Sequence, residues 1–300
     1  MAKTELFLYA GEHPELNYGI DIYGQPAIGD FAVTDDGRVL LADTSDGIVY
    51  NYSPSGKLLW SYSPASDGLF PSQIASGDNG ICYFLDSSLG IIASVKDGEL
   101  VNSCALGDNT AISNKTLIDR MRVLGDGLVS LSFFDGENKR VSQTFDVSEK
   151  LAKPVSGLAG GDDIGGMYCT VTKIAEKGRQ NSARVTITDG DMSTGFCVSN
   201  SEEDAELIGL AVLGLSTDGK YYCRAFTLEG NSILDSFLLI DKNKEAVSEF
   251  ETVLAGHDIV RQCGNELFAL HNTGDEISVK PLADFLKNPE PSANFHVSSY

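Results

Sequence analysis

Four histidines, His13, His257, His271 and His296, are the side chains best suited to acid–base or metal chemistry in this chain of 300 residues. A zinc-type site needs three or four ligands within reach of one ion, and imidazole is a common ligand. His13, His257 and His271 fall in connections that are expected on one face of the fold, so they are the candidate metal ligands. Because loop histidines are usually solvated, this site depends on whether the three side chains converge.

A second set of side chains shares the loops of this face and could bind a partner. Loops held by a rigid scaffold are where binding residues concentrate. Charged and aromatic side chains in such loops supply ionic and stacking contacts. The candidate binding residues are Asp46, Phe70, Asp135, Glu137, Arg179 and Asp275. The alternative for each of them is a solvated turn residue with no part in recognition.

Sequence motifs for the common catalytic chemistries are absent. The chain has no GxSxG motif for a serine nucleophile. The glycine-rich stretches GLAGG and GDDIGG lack the lysine and the following helix of a phosphate-binding loop. The six cysteines are scattered without a CxxC pair, which excludes the familiar zinc signatures and favours buried, reduced thiols. We therefore expect neither catalysis nor a cofactor.

The charge balance limits the classes of partner. Lysine and arginine total 22 against 43 aspartates and glutamates, so the formal net charge is −21. Such a surface repels nucleic-acid backbones and anionic lipids and favours basic partners. No apolar run approaches the roughly 20 residues of a membrane span. With no signal peptide recognisable at the N-terminus, reduced cysteines favour the cytoplasm; an extracytoplasmic location stays open if a signal peptide has been removed.

Short strands between glycine turns are the elements that would position these residues. From Phe31 to Tyr62 the apolar runs FAVT, RVLLAD, GIVYNYS and KLLWSY are separated by DDG, SDG and PSG. Glycine takes a positive φ without a steric penalty, and Asp and Ser bond their own backbone, so these separators predict tight turns. Four strands in succession predict an antiparallel meander. The following runs, SQIAS, ICYFLD, IIASVK and ELVNSCA, repeat the plan.

Six such units recur at intervals of roughly 40 to 50 residues, which indicates a repeat architecture. We predict an all-β fold, a six-bladed β-propeller with four-stranded antiparallel blades, in a single domain over residues 1–300. The predicted blades span residues 31–62, 72–105, 119–154, 160–199, 205–251, and 257–284 together with 4–10. Helix signals are too short for a parallel α/β fold, whereas a β-sandwich stays open as an alternative.

The last unit lacks a fourth strand. The N-terminal TELFLYA, residues 4–10, belongs to no unit of its own. Pairing it with the last unit would close the ring and remove an open sheet edge. We predict this closure, with the C-terminal NFHVSSY as the alternative source of the strand.

The stretch GRVLLADTSDGIVYNYSPSGKLLWSY resembles six-bladed propellers of the NHL and PQQ-repeat type. The resemblance is clear in residues 31–105 and rests on spacing elsewhere. It implies binding of proteins, glycans or small ligands, and some such propellers are enzymes. Six-bladed lactonases hold Ca²⁺ through carboxylate and amide oxygens at the central channel. The aspartates Asp35, Asp36, Asp78, Asp126 and Asp218 fall instead in turns on the other face, where they are expected to form turns.

Two functions follow as hypotheses. The leading one is a monomeric, non-catalytic propeller that recognises a protein, or a small molecule or glycan, through its loop face. The alternative is a metal-dependent hydrolase or lyase of the lactonase type, with Ca²⁺ or another divalent metal at the central channel.

Overall fold

A computed structural model of the chain contains six antiparallel sheets of four or five strands each. The six-bladed β-propeller fold predicted from the repeats is therefore confirmed. The structure describes residues 4–20, 25–107, 112, 114–118, 120–125, 127–176, 179–202, 205–264 and 266–299, except for the side chains at 116, 174–176, 179 and 180. In these ranges the helices are short 3₁₀ turns, Pro64–Asp67, Asp78–Gly80, Lys115–Leu117 and Leu282–Asp284. None of the helices described could cross a membrane.

The chain divides into two compact units, which are described separately. Unit 1 comprises Met1–Asp163, His257–Cys263 and Phe268–Lys280. Unit 2 comprises Ile164–Gly256, Gly264–Leu267 and Pro281–Tyr300. The assignment of all 300 residues to one domain stays a prediction.

The first two sheets of unit 1 follow the predicted meanders. The chain begins with β1 (Leu6–Tyr9), which belongs to a later sheet. The strands of the first two sheets are β2 (Ile28–Val33), β3 (Val39–Asp43), β4 (Ile48–Tyr52), β5 (Leu58–Tyr62), β6 (Gln73–Ser76), β7 (Cys82–Asp86), β8 (Ile91–Lys96) and β9 (Glu99–Ala105). Strands β2–β5 form one sheet and β6–β9 the next, each in sequence order. Gly37, in the turn between β2 and β3, has a φ of +83°, which explains the DDG separator there.

The third sheet has a divided outer edge. It contains β10 (Arg120–Gly125), β11 (Leu128–Phe134), β12 (Arg140–Asp146), β13 (Lys153–Pro154) and β14 (Ala159–Gly160). Both short strands pair with β12. Strand β13 ends at Pro154, because proline has no N–H to continue the ladder.

The next two sheets along the chain have longer strands. They are built from β15 (Asp162–Ile164), β16 (Met167–Glu176), β17 (Arg179–Asp189) and β18 (Met192–Asn200), and from β19 (Ala205–Leu215), β20 (Tyr221–Glu229), β21 (Ser232–Asp241) and β22 (Ala246–Thr252). The fourth predicted unit, residues 160–199, thus supplies four strands of one sheet.

The last sheet is completed by the N-terminal strand. Its other members are β23 (Ile259–Cys263), β24 (Glu266–Asn272) and β25 (Glu276–Pro281). Strand β1 pairs antiparallel with β25, with Leu6 opposite Val279 and Leu8 opposite Ile277. The predicted pairing of residues 4–10 with the last unit is therefore confirmed.

The C-terminal strands pair elsewhere. Strand β26 (Leu286–Pro291) joins β22, and β27 (Phe295–Ser299) joins β18. The alternative that NFHVSSY completes the last unit is wrong, because these residues form the outer edge of another sheet. These two sheets consequently have five strands rather than the predicted four, and the third sheet has five because its outer edge is divided between β13 and β14.

Apolar side chains fill separate cores within each unit. In unit 1, Leu6 and Leu8 of β1 pack in one cluster with Tyr50 and Tyr52 of the first sheet. In unit 2, Phe295 and Val297 of β27 belong to the main cluster. All six cysteines are free thiols, and Cys82, Cys104, Cys169 and Cys223 are buried. This agrees with the prediction of thiols that act as small apolar core residues.

Candidate binding site

A cleft of about 410 Å³ lies in unit 1 where second strands end and first strands begin. Its apolar lining residues are Pro26, Phe70, Pro71 and Ile259. Its polar lining includes Gln25, Thr44, Ser72, Ser87, Ser88 and His257. These residues come from second-to-third-strand turns and from connections into first strands, the loops that the sequence analysis singled out. Two of the predicted residues, Phe70 and His257, thus line one cleft.

Phe70 is the largest apolar side chain of the cleft, and 52% of its surface is exposed. The buried carboxylate of Asp86 holds its backbone, because Oδ2 accepts a hydrogen bond from the Phe70 N–H at 2.9 Å. A Cβ at Gly47 would approach the Phe70 ring to 2.9 Å, and Gly47 has a φ of +67°. The turn after β3 therefore needs glycine for its backbone conformation and for room beside the ring. The backbone of Phe70 is therefore anchored, and its ring has room beside Gly47 and stays open to a ligand.

A second cavity of about 390 Å³ adjoins the cleft, and we call it the side groove. It shares Gln25, Pro26 and Thr44 with the cleft. Its remaining lining residues are Asn17, Gly19, Ile20, Ala27 and Ser45. The cleft and the side groove together provide a continuous lined surface rather than an isolated pocket.

The two cavities are framed by a turn motif that occurs in both of the first two sheets. Asp43 ends β3 and Asp86 ends β7, and each is followed by a hydroxyl pair, Thr44–Ser45 or Ser87–Ser88. In each case Oδ1 of the aspartate accepts bonds from the serine N–H and hydroxyl two residues on and from the next backbone N–H. This network fixes the lining hydroxyls on the turn.

Two of the three predicted metal ligands share a buried carboxylate. The Nδ1 atom of His271 lies 2.8 Å from Oδ2 of Asp258, whose side chain is fully buried. The Nε2 atom of His257 lies 3.6 Å from Oδ1 of Asp258 and 3.3 Å from the carbonyl oxygen of Asn272. Because His257 lines the cleft, this pair of histidines stands at its edge.

His13 does not join this pair. Its Nδ1 lies 3.1 Å from a carboxylate oxygen of Glu15, and its ring packs edge-on against Tyr52. Among the residues described, which include all three histidines, no group of three or more His, Cys, Asp or Glu side chains is placed to hold a metal ion. The convergence of His13, His257 and His271 on one ion is therefore not found.

The other predicted binding residues are distributed over several turns. Asp46 follows β3 and accepts a long bond of 3.5 Å from Asn17 Nδ2, so it stands at the rim of the side groove. Asp135 and Glu137 lie in the turn between β11 and β12, where Asp135 caps two backbone N–H groups and Glu137 pairs with Lys139. Asp275 lies in the turn after β24. The side chain of Arg179 lies outside the described residues.

The aspartates expected in turns between first and second strands lie there. Asp35 and Asp36 lie between β2 and β3, Asp78 between β6 and β7, and Asp218 between β19 and β20. Asp36 binds Arg38, and Asp218 binds Lys220. Asp126 lies outside the described residues.

Asp43 provides a test of the buried turn network. Burial raises the pKa of its carboxyl group above the usual aspartate value of about 3.9. Between the ordinary pKa of Asp43 in the unfolded state and its higher pKa in the folded state, the folded protein binds more protons than the unfolded chain. The free energy of unfolding therefore falls as pH rises through this window. We expect the free energy of unfolding of Asp43→Asn not to show this fall with rising pH. Urea unfolding of the wild type and of the variant across the mildly acidic range measures it. Equal slopes of the free energy of unfolding against pH would contradict the expectation.

Sequence reasoning missed most of the polar lining. Thr44, Ser45, Ser87 and Ser88 looked like ordinary turn residues, because serine and threonine are common in turns. The available signal was the recurrence of Asp-(Thr/Ser)-Ser at the end of the second strand in two successive units. Asp258 was also missed, since a single aspartate before a strand carries no pattern.

No protein-family model and no curated protein sequence matches the chain. Among solved structures it is similar to virginiamycin B lyase from Staphylococcus aureus, with 9% identity, a TM-score of 0.45, and 93% of this chain and 99% of that chain covered. It is also similar to the Dos1 propeller, with 12% identity, a TM-score of 0.43 and coverage of 88% and 80%. A third is a putative 6-phosphogluconolactonase from Bacteroides fragilis, with 13% identity, a TM-score of 0.41 and coverage of 91% and 87%. Likenesses at this level carry no argument about the site.

Proposed function

We propose that the chain is a non-catalytic binding propeller, of the NHL or PQQ-repeat kind, that recognises a segment of a partner protein through the cleft and the side groove. The observation that carries this proposal is the half-exposed ring of Phe70, which lines the cleft and whose backbone N–H donates to Asp86. An aromatic side chain has few rotatable bonds, so it loses little conformational entropy when a partner covers it. Such residues dominate the energy of protein interfaces.

The shape and chemistry of the lining support a chain-like ligand. The cleft and the side groove adjoin through Gln25, Pro26 and Thr44, so a ligand can extend from one to the other. Prolines and Phe70 offer apolar contact, while the serine and threonine hydroxyls can donate to or accept from a peptide backbone. An extended segment of a few residues meets both requirements.

Phe70→Ala tests the proposal directly. Random peptides displayed on phage are selected on the immobilised wild-type protein, and the selected peptides are then measured against the variant. Truncating a central interface aromatic costs about 2 kcal/mol or more, so we expect affinity to fall about 30-fold. Fluorescence anisotropy of the labelled peptides gives this ratio.

Leu89→Ala is the matched control. Leu89 is 50% exposed, like Phe70, and it lies in the turn after β7 without lining either cavity. We expect its removal to leave peptide affinity unchanged. If selection yields no binder, or if the selected peptides bind wild type and Phe70→Ala alike, the proposed site is wrong.

The hydrolase or lyase alternative has one observation in its favour. Asp258 is a buried carboxylate in contact with His257 and His271, and a carboxylate that orients an imidazole is a common arrangement for a general base. A panel of activated esters and lactones, with Ca²⁺ or another divalent metal added, tests it. Turnover that is lost in His257→Ala would replace the binding proposal.

A further inference from the structure

The hydroxyl groups that line the cleft are available mainly as hydrogen-bond acceptors. A hydroxyl has one proton to donate, and three of the four lining hydroxyls donate it within the fold. The three are Thr44 Oγ1, Ser72 Oγ and Ser88 Oγ, which donate to the carbonyl oxygens of Ala27 and Leu85 and to Oδ1 of Asp86 at 2.6 to 3.1 Å. The fourth belongs to Ser87. A ligand that donates uses the free lone pairs, whereas a ligand that accepts must first break an internal bond.

The backbone N–H groups of the same residues are also used within the fold. The N–H of Thr44 donates to the carbonyl oxygen of Ala27, and the N–H of Ser72 donates to that of Leu85. The N–H of Ser88 donates to Oδ1 of Asp86. Two further lining residues, Pro26 and Pro71, have no N–H. These parts of the lining therefore offer acceptors to a ligand and no free donor.

His257 adds an acceptor nitrogen to this lining. Its Nε2 atom lies 3.3 Å from the carbonyl oxygen of Asn272 and 3.6 Å from Oδ1 of Asp258. Both of these oxygens are acceptors, so Nε2 carries the proton and Nδ1 of the neutral ring is an acceptor. His257 lines the cleft, and 24% of its side chain is exposed. The imidazole therefore favours the same kind of ligand group as the hydroxyls.

Asp86 places a negative charge beside the cleft. Its side chain is buried among the lining residues and accepts bonds from three backbone N–H groups and one hydroxyl. These donors are neutral, so they hold the carboxylate without cancelling its charge. No lysine or arginine is among the described residues that line the cleft. The cleft therefore favours a donor that brings a positive charge with it.

We propose that the cleft binds an arginine side chain of the partner segment. This inference rests on the proposed function and names the side chain that the cleft selects. A guanidinium has five N–H donors, no acceptor and a positive charge, and its flat face stacks on aromatic rings. It stacks on the exposed ring of Phe70 and donates to the hydroxyl oxygens of the lining. The methylene stem packs against Pro71.

Peptides selected from the random phage library on the wild-type protein are the probe, and we expect them to share an arginine. Fluorescein-labelled synthetic copies carry arginine or citrulline at that position. Citrulline has the shape of arginine, but it is uncharged and has a carbonyl oxygen in place of one donor group. The arginine peptide is expected to bind at least about tenfold more tightly than the citrulline peptide in fluorescence anisotropy.

Ser88→Ala should weaken binding of the arginine peptide about fivefold or more, because one acceptor is lost. Ser148→Ala is the matched control and should leave the affinity unchanged. Ser148 lies in the same Asp-x-Ser turn after β12, and it lines neither the cleft nor the side groove. Its N–H and hydroxyl lie 2.9 and 2.6 Å from Oδ1 of Asp146, the distances that Ser88 has to Asp86.

The arginine inference and the proposed function fail on different results. Selected peptides that share no arginine, or that bind as tightly with citrulline, would overturn the arginine inference. The proposed function would still stand if Phe70→Ala weakened the binding of those peptides. Equal losses in Ser88→Ala and Ser148→Ala would also overturn the arginine inference, because the hydroxyl would then act through the turn. A selection that yields no binder would overturn both.

Discussion

The double substitution Leu6→Ala and Leu8→Ala is expected to lower the free energy of unfolding by about 5 kcal/mol or more. Both side chains are fully buried, and they lie on the face of β1 that packs in the core cluster with Tyr50 and Tyr52. Small domains have only about 5 to 15 kcal/mol of stability. Loss of this strand's packing would therefore leave unit 1 close to unfolding. Urea unfolding followed by circular dichroism measures the change.

Phe7→Ala is the control, because it truncates a side chain of β1 that faces away from the core and leaves the backbone pairing of the strand in place. Phe7 lies between the two leucines on the opposite face of the strand, 38% exposed, with the Lys280 ammonium 4.6 Å from its ring centroid. An exposed cation–π contact contributes about 0.5 to 1 kcal/mol, so we expect a loss of that size. A double leucine variant no less stable than Phe7→Ala would show that β1 is not part of the core.

Asp30→Ala is expected to lower the free energy of unfolding by about 3 kcal/mol. The side chain of Asp30, in β2, is buried, and its Oδ1 accepts a hydrogen bond from Arg261 Nε of β23 at 2.7 Å. Its Oδ2 accepts the N–H of Ile74 in β6 at 3.0 Å. One carboxylate thus joins the first strands of three sheets in unit 1. Its removal leaves Nε of Arg261 and the Ile74 N–H without their acceptor.

Asp36→Ala is the control for a surface ion pair. Asp36 binds Arg38 at 2.8 Å, but 60% of its side chain is exposed. Exposed pairs contribute about 0 to 1 kcal/mol, so the variant should unfold near the wild-type denaturant concentration. Equal losses for Asp30→Ala and Asp36→Ala would show that the link between the three strands adds nothing to stability.

The fold was predictable because its turns are local. Glycine at positions such as Gly37 has a positive φ, and each turn is read from three or four adjacent residues. The pairing of β1 was predictable because one unit lacked a strand. Strand β26 was missed, and β27 was considered only as a partner of the wrong sheet, for different reasons. Strand β26 contains Pro289 and Pro291, which argue against a strand except at a sheet edge, and the partner of β27 is distant in sequence.

The candidate site was only partly predictable. Exposed aromatic and imidazole side chains in loops, such as Phe70 and His257, stand out in a sequence because their chemistry is unusual for turns. Among the described residues, Oδ2 of Asp43 has no hydrogen-bond partner, whereas Oδ2 of Asp86, in the same turn of the next sheet, accepts the Phe70 N–H. Gln25 stands at the position of Phe70 before β2 and also has a backbone N–H. The difference therefore depends on three-dimensional packing rather than on residue type, and the sequence could not show it.

The positions of β26 and β27 have a consequence for biosynthesis. Strand β26 joins the nearby β22, but β27 completes a sheet whose other members are translated much earlier, because it pairs with β18 across about a third of the chain. While the ribosome is still adding residues 201–294, the free edge of β18 has no partner and is open to pairing with other nascent chains. Productive folding of unit 2 therefore finishes only after translation of residues 295–299, and chaperone binding during this interval would protect the exposed edge.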